Sequence, residues 1–116
     1  VHGDGTQTRS FCHVSDTIGA LKGLLEAPLS GEIYNVGSSE RVTILELAGR
    51  VLRTAGSSSE LAFVPYKEVY GLGIEDTLHR EPSIEKIAAA IGWKPERRLD
   101  EILADVIDQV RLPSEA

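Results

Sequence analysis

The chain has 116 residues, a formal net charge of −6 and an apolar fraction of 41%, which suits one compact domain burying roughly 65% of its unfolded surface and leaves no room for a second. The acidic balance argues against nucleic acid or an anionic membrane as the main partner, since both reward a positive surface, and no apolar run approaches the ~20 residues of a membrane span. The single cysteine, Cys12, cannot close an internal disulfide, which fits a reducing, cytoplasmic setting.

The opening VHGDGTQTRS is polar and glycine-rich, unlike a signal peptide. With no methionine anywhere, the chain reads as the back part of a longer protein. Gly3 and Gly5 mark a turn, and Arg9 to Val14 reads as a short strand. Ser15 or Asp16 then caps a helix over Asp16 to Glu26, with Ile18, Leu21, Leu24 and Leu25 on its buried face and Pro28 ending it.

Ile33, Tyr34 and Val36 favour a strand, Gly37-Ser38-Ser39 breaks it, and Ile44, Leu47, Ala48, Val51 and Leu52 recur at helical spacing. Thr43 and Glu46 form a capping box at the start of that helix, with Val42 placed to staple against Leu47. The helix should fold back on the strand, leaving Asn35 and the Gly37 turn at the carboxyl-end rim where open α/β folds hold ligands. Gly56 closes the unit.

Leu61 to Tyr66 is apolar on both faces, as a strand covered on both sides would be, with Pro65 confining its end to an edge or exit. From Lys67 to Pro82 periodicity fails. A loop of ~15 residues without structure of its own is usually functional or mobile. Ile84, Ile87, Ala88 and Ile91 give a helix capped by Ser83 and stopped at Gly92, with Trp93 as a core anchor, and Leu99, Ile102, Leu103, Val106, Ile107 and Val110 give a final amphipathic helix. The sum is an α/β domain over 1–116, with about four helices and three short strands.

Catalytic machinery is not evident. A dinucleotide site needs a glycine fingerprint between a strand and a helix, and neither Gly3-Asp4-Gly5 nor Gly71-Leu72-Gly73 continues to a third glycine. No Tyr-x-x-x-Lys pair occurs, and His2, His13 and His79 lack metal-ligand spacing.

Three ordered segments carry a family resemblance: GDGTQTRSFCHVSDTIGAL (Gly3 to Leu21), IYNVGSSERVTILELA (Ile33 to Ala48) and HREPSIEKIAAAIGWKP (His79 to Pro95). Together they resemble the carboxyl-terminal, substrate-binding portion of the extended short-chain dehydrogenases, the NAD-dependent nucleotide-sugar epimerases, dehydratases and decarboxylases. The resemblance implies a small substrate-binding domain whose NAD is held by the Rossmann half of the same enzyme, with none expected on this chain alone. It further implies a UDP- or dTDP-sugar as ligand and a second copy of the enzyme as a candidate homodimer partner. A UDP-glucose 4-epimerase-like enzyme leads, with a dTDP-glucose dehydratase or UDP-glucuronate decarboxylase behind it. A stand-alone binding or interaction module that kept the fold and lost the chemistry is the alternative.

By the same resemblance, Arg9 in Gln-Thr-Arg-Ser-Phe grips the diphosphate, for which a guanidinium offers a planar fork of donors; the alternative is a surface arginine in a turn. Arg80, just ahead of Glu81-Pro82, matches a second phosphate-binding arginine, or else pairs with Glu75 or Asp76. Asn35 matches an asparagine that bonds near the phosphates, or serves its own turn. Gln7 donates a supporting hydrogen bond or is solvated. His2 stands where the family often stacks an aromatic on the base. His13 and Asp16 read as structural, His13 packed and Asp16 capping a helix, and Gly71 to Asp76 reads as loop structure.

Overall fold

The computed structural model describes residues 1–71, 73 and 76–112. Leu72, Ile74 and Glu75 of the irregular stretch lie outside the described residues. Two strands, β1 (Thr8–Ser10) and β2 (Arg41–Thr43), form one sheet, and five helices follow in the order α1 (Val14–Glu26), α2 (Ile44–Ala55), α3 (Tyr66–Tyr70), α4 (Glu85–Ile91) and α5 (Leu99–Arg111). The α/β class is as expected. The fifth helix is α3, which takes the last residue of the expected Leu61 to Tyr66 strand and the start of the stretch read as irregular. The chain forms two compact units: Val1–Arg9 with Val42–Arg80 and Leu103–Ala116, and Ser10–Arg41 with Glu81–Ile102.

In the first unit, Thr43 caps α2 by accepting the Glu46 N–H at 3.1 Å. The reciprocal arm of the capping box is absent, because the Glu46 carboxylate turns to Arg50 instead, at 2.7 Å. Gly56 closes α2 in the left-handed conformation with the Ser57 N–H bonded to Leu52 O, the usual way to satisfy terminal carbonyls. The expected strand over Leu61 to Tyr66 shrinks to one parallel bridge between His2 and Val64. Pro65, which lacks an N–H, ends that pairing and starts α3. Leu61 and Phe63 are exposed, so the segment is not covered on both sides.

The second unit corrects α1. The helix begins at Val14, and its cap is His13, whose Nδ1 accepts the Ser15 N–H at 3.1 Å. Asp16 does not cap; it is buried, and its Oδ2 accepts the Arg97 N–H at 3.0 Å while its carbonyl accepts Trp93 Nε1 at 3.0 Å. The face that packs is the row of Asp16, Gly19, Ala20 and Gly23, where a Cβ on Gly23 would meet Ile91 Cδ1 at 2.8 Å. Small residues let α1 approach α4 and Trp93 closely. The aliphatic row misleads: Ile18, Leu21 and Leu25 of the expected face are more than half exposed, as is Val14, while Leu24 is half-buried.

Ile33 to Val36 is not a strand, having no ladder partner among the described residues. Side chains hold this segment instead. Lys86 Nζ reaches the Glu32 carboxylate at 2.7 Å and Ile33 O at 2.9 Å, and sits 4.9 Å from the Tyr34 ring centre. The hydrogen bond from Lys86 holds the Glu32 carboxyl below its ordinary value, and that same bond raises Lys86. Ser83 does not cap α4, which starts behind Ile84 without a side-chain cap. At α5, carboxylates of Glu101 and Glu40 accept the N–H groups of Arg98 and Leu99 at 2.9 and 3.1 Å, which suits the positive end of a helix. Ile87, Ala20, Leu99 and Ile102 are the buried apolar residues of this unit.

Candidate functional site

The site is built on the Gly3-Asp4-Gly5 turn. Asp4 Oδ1 accepts both the N–H and the hydroxyl of Thr6, at 3.0 and 2.7 Å, and the backbone bond, followed by the hydroxyl, lowers its pKa. Gly3 has φ +70°, and a Cβ there would lie 2.6 Å from the Tyr66 ring; Gly5 has φ +76°, and its Cβ would lie 3.0 Å from Leu45. Both glycines therefore close onto protein.

Tyr66 and Tyr70, one helical turn apart on α3, share a face and stack with centroids 6.0 Å apart. His2 meets Tyr70 edge-on at 5.5 Å, with Nδ1 3.1 Å from the Tyr70 hydroxyl. Below them Gln7, 7% exposed, donates from Nε2 to Tyr66 Oη at 2.7 Å and to His2 O at 3.2 Å. Gln7 is thus neither solvated nor left with a free N–H. Arg9, on β1, donates from Nη1 to Thr8 O at 2.7 Å and from Nη2 to Asp76 Oδ1 at 2.6 Å. Tyr66 Oη donates to the other Asp76 oxygen at 3.1 Å.

These side chains line an open pocket of about 340 Å³, with Val1 and Ile44 as its aliphatic part. Arg9 is partly buried in a strand, and three of its five N–H groups have no partner among the described residues. Thr8 pairs in parallel with His79, and the Arg80 N–H bonds Thr8 O at 3.4 Å. This register sets Arg80 next to Arg9. Arg80 is exposed and makes no ion pair among the described residues. Asp76, one of its expected partners, is held by Arg9, and Glu75 lies outside the described residues.

Asn35 belongs to the other unit, where it is exposed and makes no side-chain hydrogen bond among the described residues. A groove of about 450 Å³ in that unit is lined by Glu81 and Glu85 and no cation, a poor match for an anion. Sequence reasoning missed Tyr66 and Tyr70 as pocket residues, and it read Asp76 as loop structure or a partner of Arg80. Tyrosines four apart were the available signal; nothing local marked Asp76 as the partner of Arg9.

Burial raises the Tyr66 phenol above its ordinary value near 10, the Asp76 carboxylate raises it further, and Arg9 opposes both. A raised folded pKa means that this stabilisation is complete below the unfolded pKa near 10 and disappears as pH rises through the folded value. Denaturant unfolding at pH 9 and pH 11 is expected to show a smaller alkaline loss in Tyr66→Phe than in wild type; equal losses would remove the assignment.

The pocket joins a cationic fork to aromatic faces in the fold of the extended short-chain dehydrogenases. A model described as the NAD dependent epimerase/dehydratase family matches residues 1–37. UDP-N-acetyl-alpha-D-glucosaminuronate decarboxylase of Bacillus cytotoxicus is 33% identical over 96% of this chain and 35% of its own length. UDP-glucuronic acid decarboxylase 5 of Arabidopsis thaliana is 36% identical over 93% of this chain and 30% of its own. The crystal structure of UDP-glucuronic acid 4-epimerase from Bacillus cereus, in complex with UDP-glucuronic acid and NAD, superposes with a TM-score of 0.78 at 28% identity, covering 95% of this chain and 35% of that one.

The chain belongs to the NAD-dependent epimerase/dehydratase family. It spans about a third or less of the length of these relatives.

Proposed function

We propose that this chain is the part of a nucleotide-sugar enzyme that holds the nucleoside diphosphate of a UDP-sugar. The observation that carries this reading is Arg9: its guanidinium is fixed in a pocket with three N–H groups uncommitted and Arg80 beside it in register. Planar forks of this kind suit phosphate oxygens, and Arg80, a second cation without an ion pair among the described residues, offsets the rest of the diphosphate charge. His2 and Tyr70 offer ring surface for the base.

The relatives name the sugar more narrowly than the sequence motifs do. Both curated relatives are decarboxylases of UDP-uronates by name, and the B. cereus epimerase was solved with UDP-glucuronic acid. The reading is therefore a UDP-hexuronate, in place of UDP-glucose. This chain's contribution is positioning: binding the remote diphosphate fixes the sugar for chemistry carried out by the rest of the enzyme. The companion half would bind NAD, which in this family takes up hydride from the sugar.

The test is calorimetric titration of UDP-glucuronate into the complete enzyme containing this segment. Arg9→Ala and Arg80→Ala are each expected to weaken binding by about tenfold or more, the scale of a lost charge-assisted contact. Unchanged affinity in both variants would refute the phosphate assignment.

A further inference from the structure

We infer that Asp76 and Tyr66 are positioning residues that aim the Arg9 guanidinium at the ligand diphosphate, an inference that rests on the phosphate reading above. A continuous line of hydrogen bonds runs from a buried anchor to the arginine. Gln7 gives one Nε2 N–H to His2 O and the other to Tyr66 Oη. With that oxygen accepting from Gln7, the Tyr66 O–H points to Asp76 Oδ2, and the opposite carboxylate oxygen takes Arg9 Nη2 at 2.6 Å.

Each member fixes the next. The line starts at a residue 7% exposed and ends at a side chain 16% exposed, with the exposed Asp76 as its link. Arg9 is pinned at both terminal nitrogens, by Thr8 O and by Asp76. A long flexible side chain is thereby restricted to one orientation before the ligand arrives, which lowers the ordering cost of binding.

The arrangement also divides labour between the two arginines. Asp76 neutralises the charge of Arg9, leaving it a directional donor, while Arg80, without an ion pair among the described residues, supplies the net attraction. The carboxylate is needed as a hydrogen-bond acceptor, and its negative charge is no help to an anionic ligand. An amide keeps one acceptor for Arg9 Nη2 and loses the charge, while its nitrogen replaces the oxygen that takes the Tyr66 O–H.

The experiment is titration of UDP into the complete enzyme, with Asp76→Ala, Asp76→Asn, Tyr66→Phe and Arg9→Ala compared with wild type and thermal melts confirming that each is folded. Asp76→Ala is expected to weaken UDP binding about tenfold and Tyr66→Phe less, the scale of one charge-assisted hydrogen bond. Asp76→Asn is expected to bind UDP more tightly than Asp76→Ala, because it keeps the acceptor for Arg9 Nη2. Asp76→Ala binding as well as wild type while Arg9→Ala binds weakly would overturn this inference alone. So would Asp76→Asn losing as much as Asp76→Ala. If Arg9→Ala binds like wild type, the phosphate reading falls first and this one with it.

Discussion

Gly3→Ala is expected to destabilise the protein by about 2–4 kcal/mol, the sum of a left-handed backbone penalty near 1 kcal/mol and an overpacking cost of 1–3 kcal/mol. Gly3 sits at φ +70°, and the added methyl would lie 2.6 Å from the Tyr66 ring. Neither neighbour yields easily. The Gly3 N–H is bonded to Val64 O at 2.8 Å, and Val64 N–H to Val1 O at 2.8 Å, so the turn cannot move away without breaking the bridge that carries α3. The ring would move instead, pulling its hydroxyl from Gln7 and Asp76. Urea unfolding reads the stability and UDP titration reads the pocket. A loss below about 0.5 kcal/mol, the scale of an ordinary surface change, would show that the close approach is not maintained in solution.

Asp16→Ala is expected to cost about 1–3 kcal/mol, because it leaves a partly buried N–H without its partner. Asp16 is 8% exposed, and its carboxylate accepts the N–H of Arg97, 81 positions away in sequence. Asp16→Asn keeps an acceptor and should recover most of the loss. Trp93, the one tryptophan in the chain, bonds the Asp16 carbonyl and not its side chain. Its fluorescence in the folded state should therefore stay close to wild type in both variants. A large emission shift in Asp16→Ala with no change in unfolding free energy would contradict this division of roles.

What the sequence disclosed was mostly local. The start of α2 was readable because Thr43 and Glu46 sit three apart, and its end because Gly56 takes the left-handed conformation. The end of α4 followed from Gly92 in the same way. Strands were less legible because a strand exists only with a partner: Ile33 to Val36 has the residue types but is held by Lys86 and flanked by Gly37, which packs on Pro82. The burial of α1 was mostly misread, since helical spacing of aliphatics identifies a face without saying what lies on it, and Ala20 and Gly23 on the neighbouring row admitted a closer neighbour.

For the site, the resemblance brought forward His2, Gln7 and Arg9, which line one pocket, and Arg80, which the Thr8–His79 register sets beside it. It brought forward Asn35 as well, which lies in the other unit. Asp76 was out of reach as a partner of Arg9, 67 positions away in sequence. Only the fold of the intervening chain closes that distance.

The ridge of Val14, Ile18, Leu21 and Leu25 along α1 has a consequence for how the chain behaves in solution. The repulsion of like-charged molecules, here a net charge of −6, helps keep aliphatic surface of this kind in water. Screening weakens that repulsion, and strongly hydrated anions such as sulfate strengthen the drive to hide the ridge. Colloidal stability of these 116 residues on their own is thus tied to ionic strength and salt type, with this stripe of four side chains among the exposed apolar surface that responds.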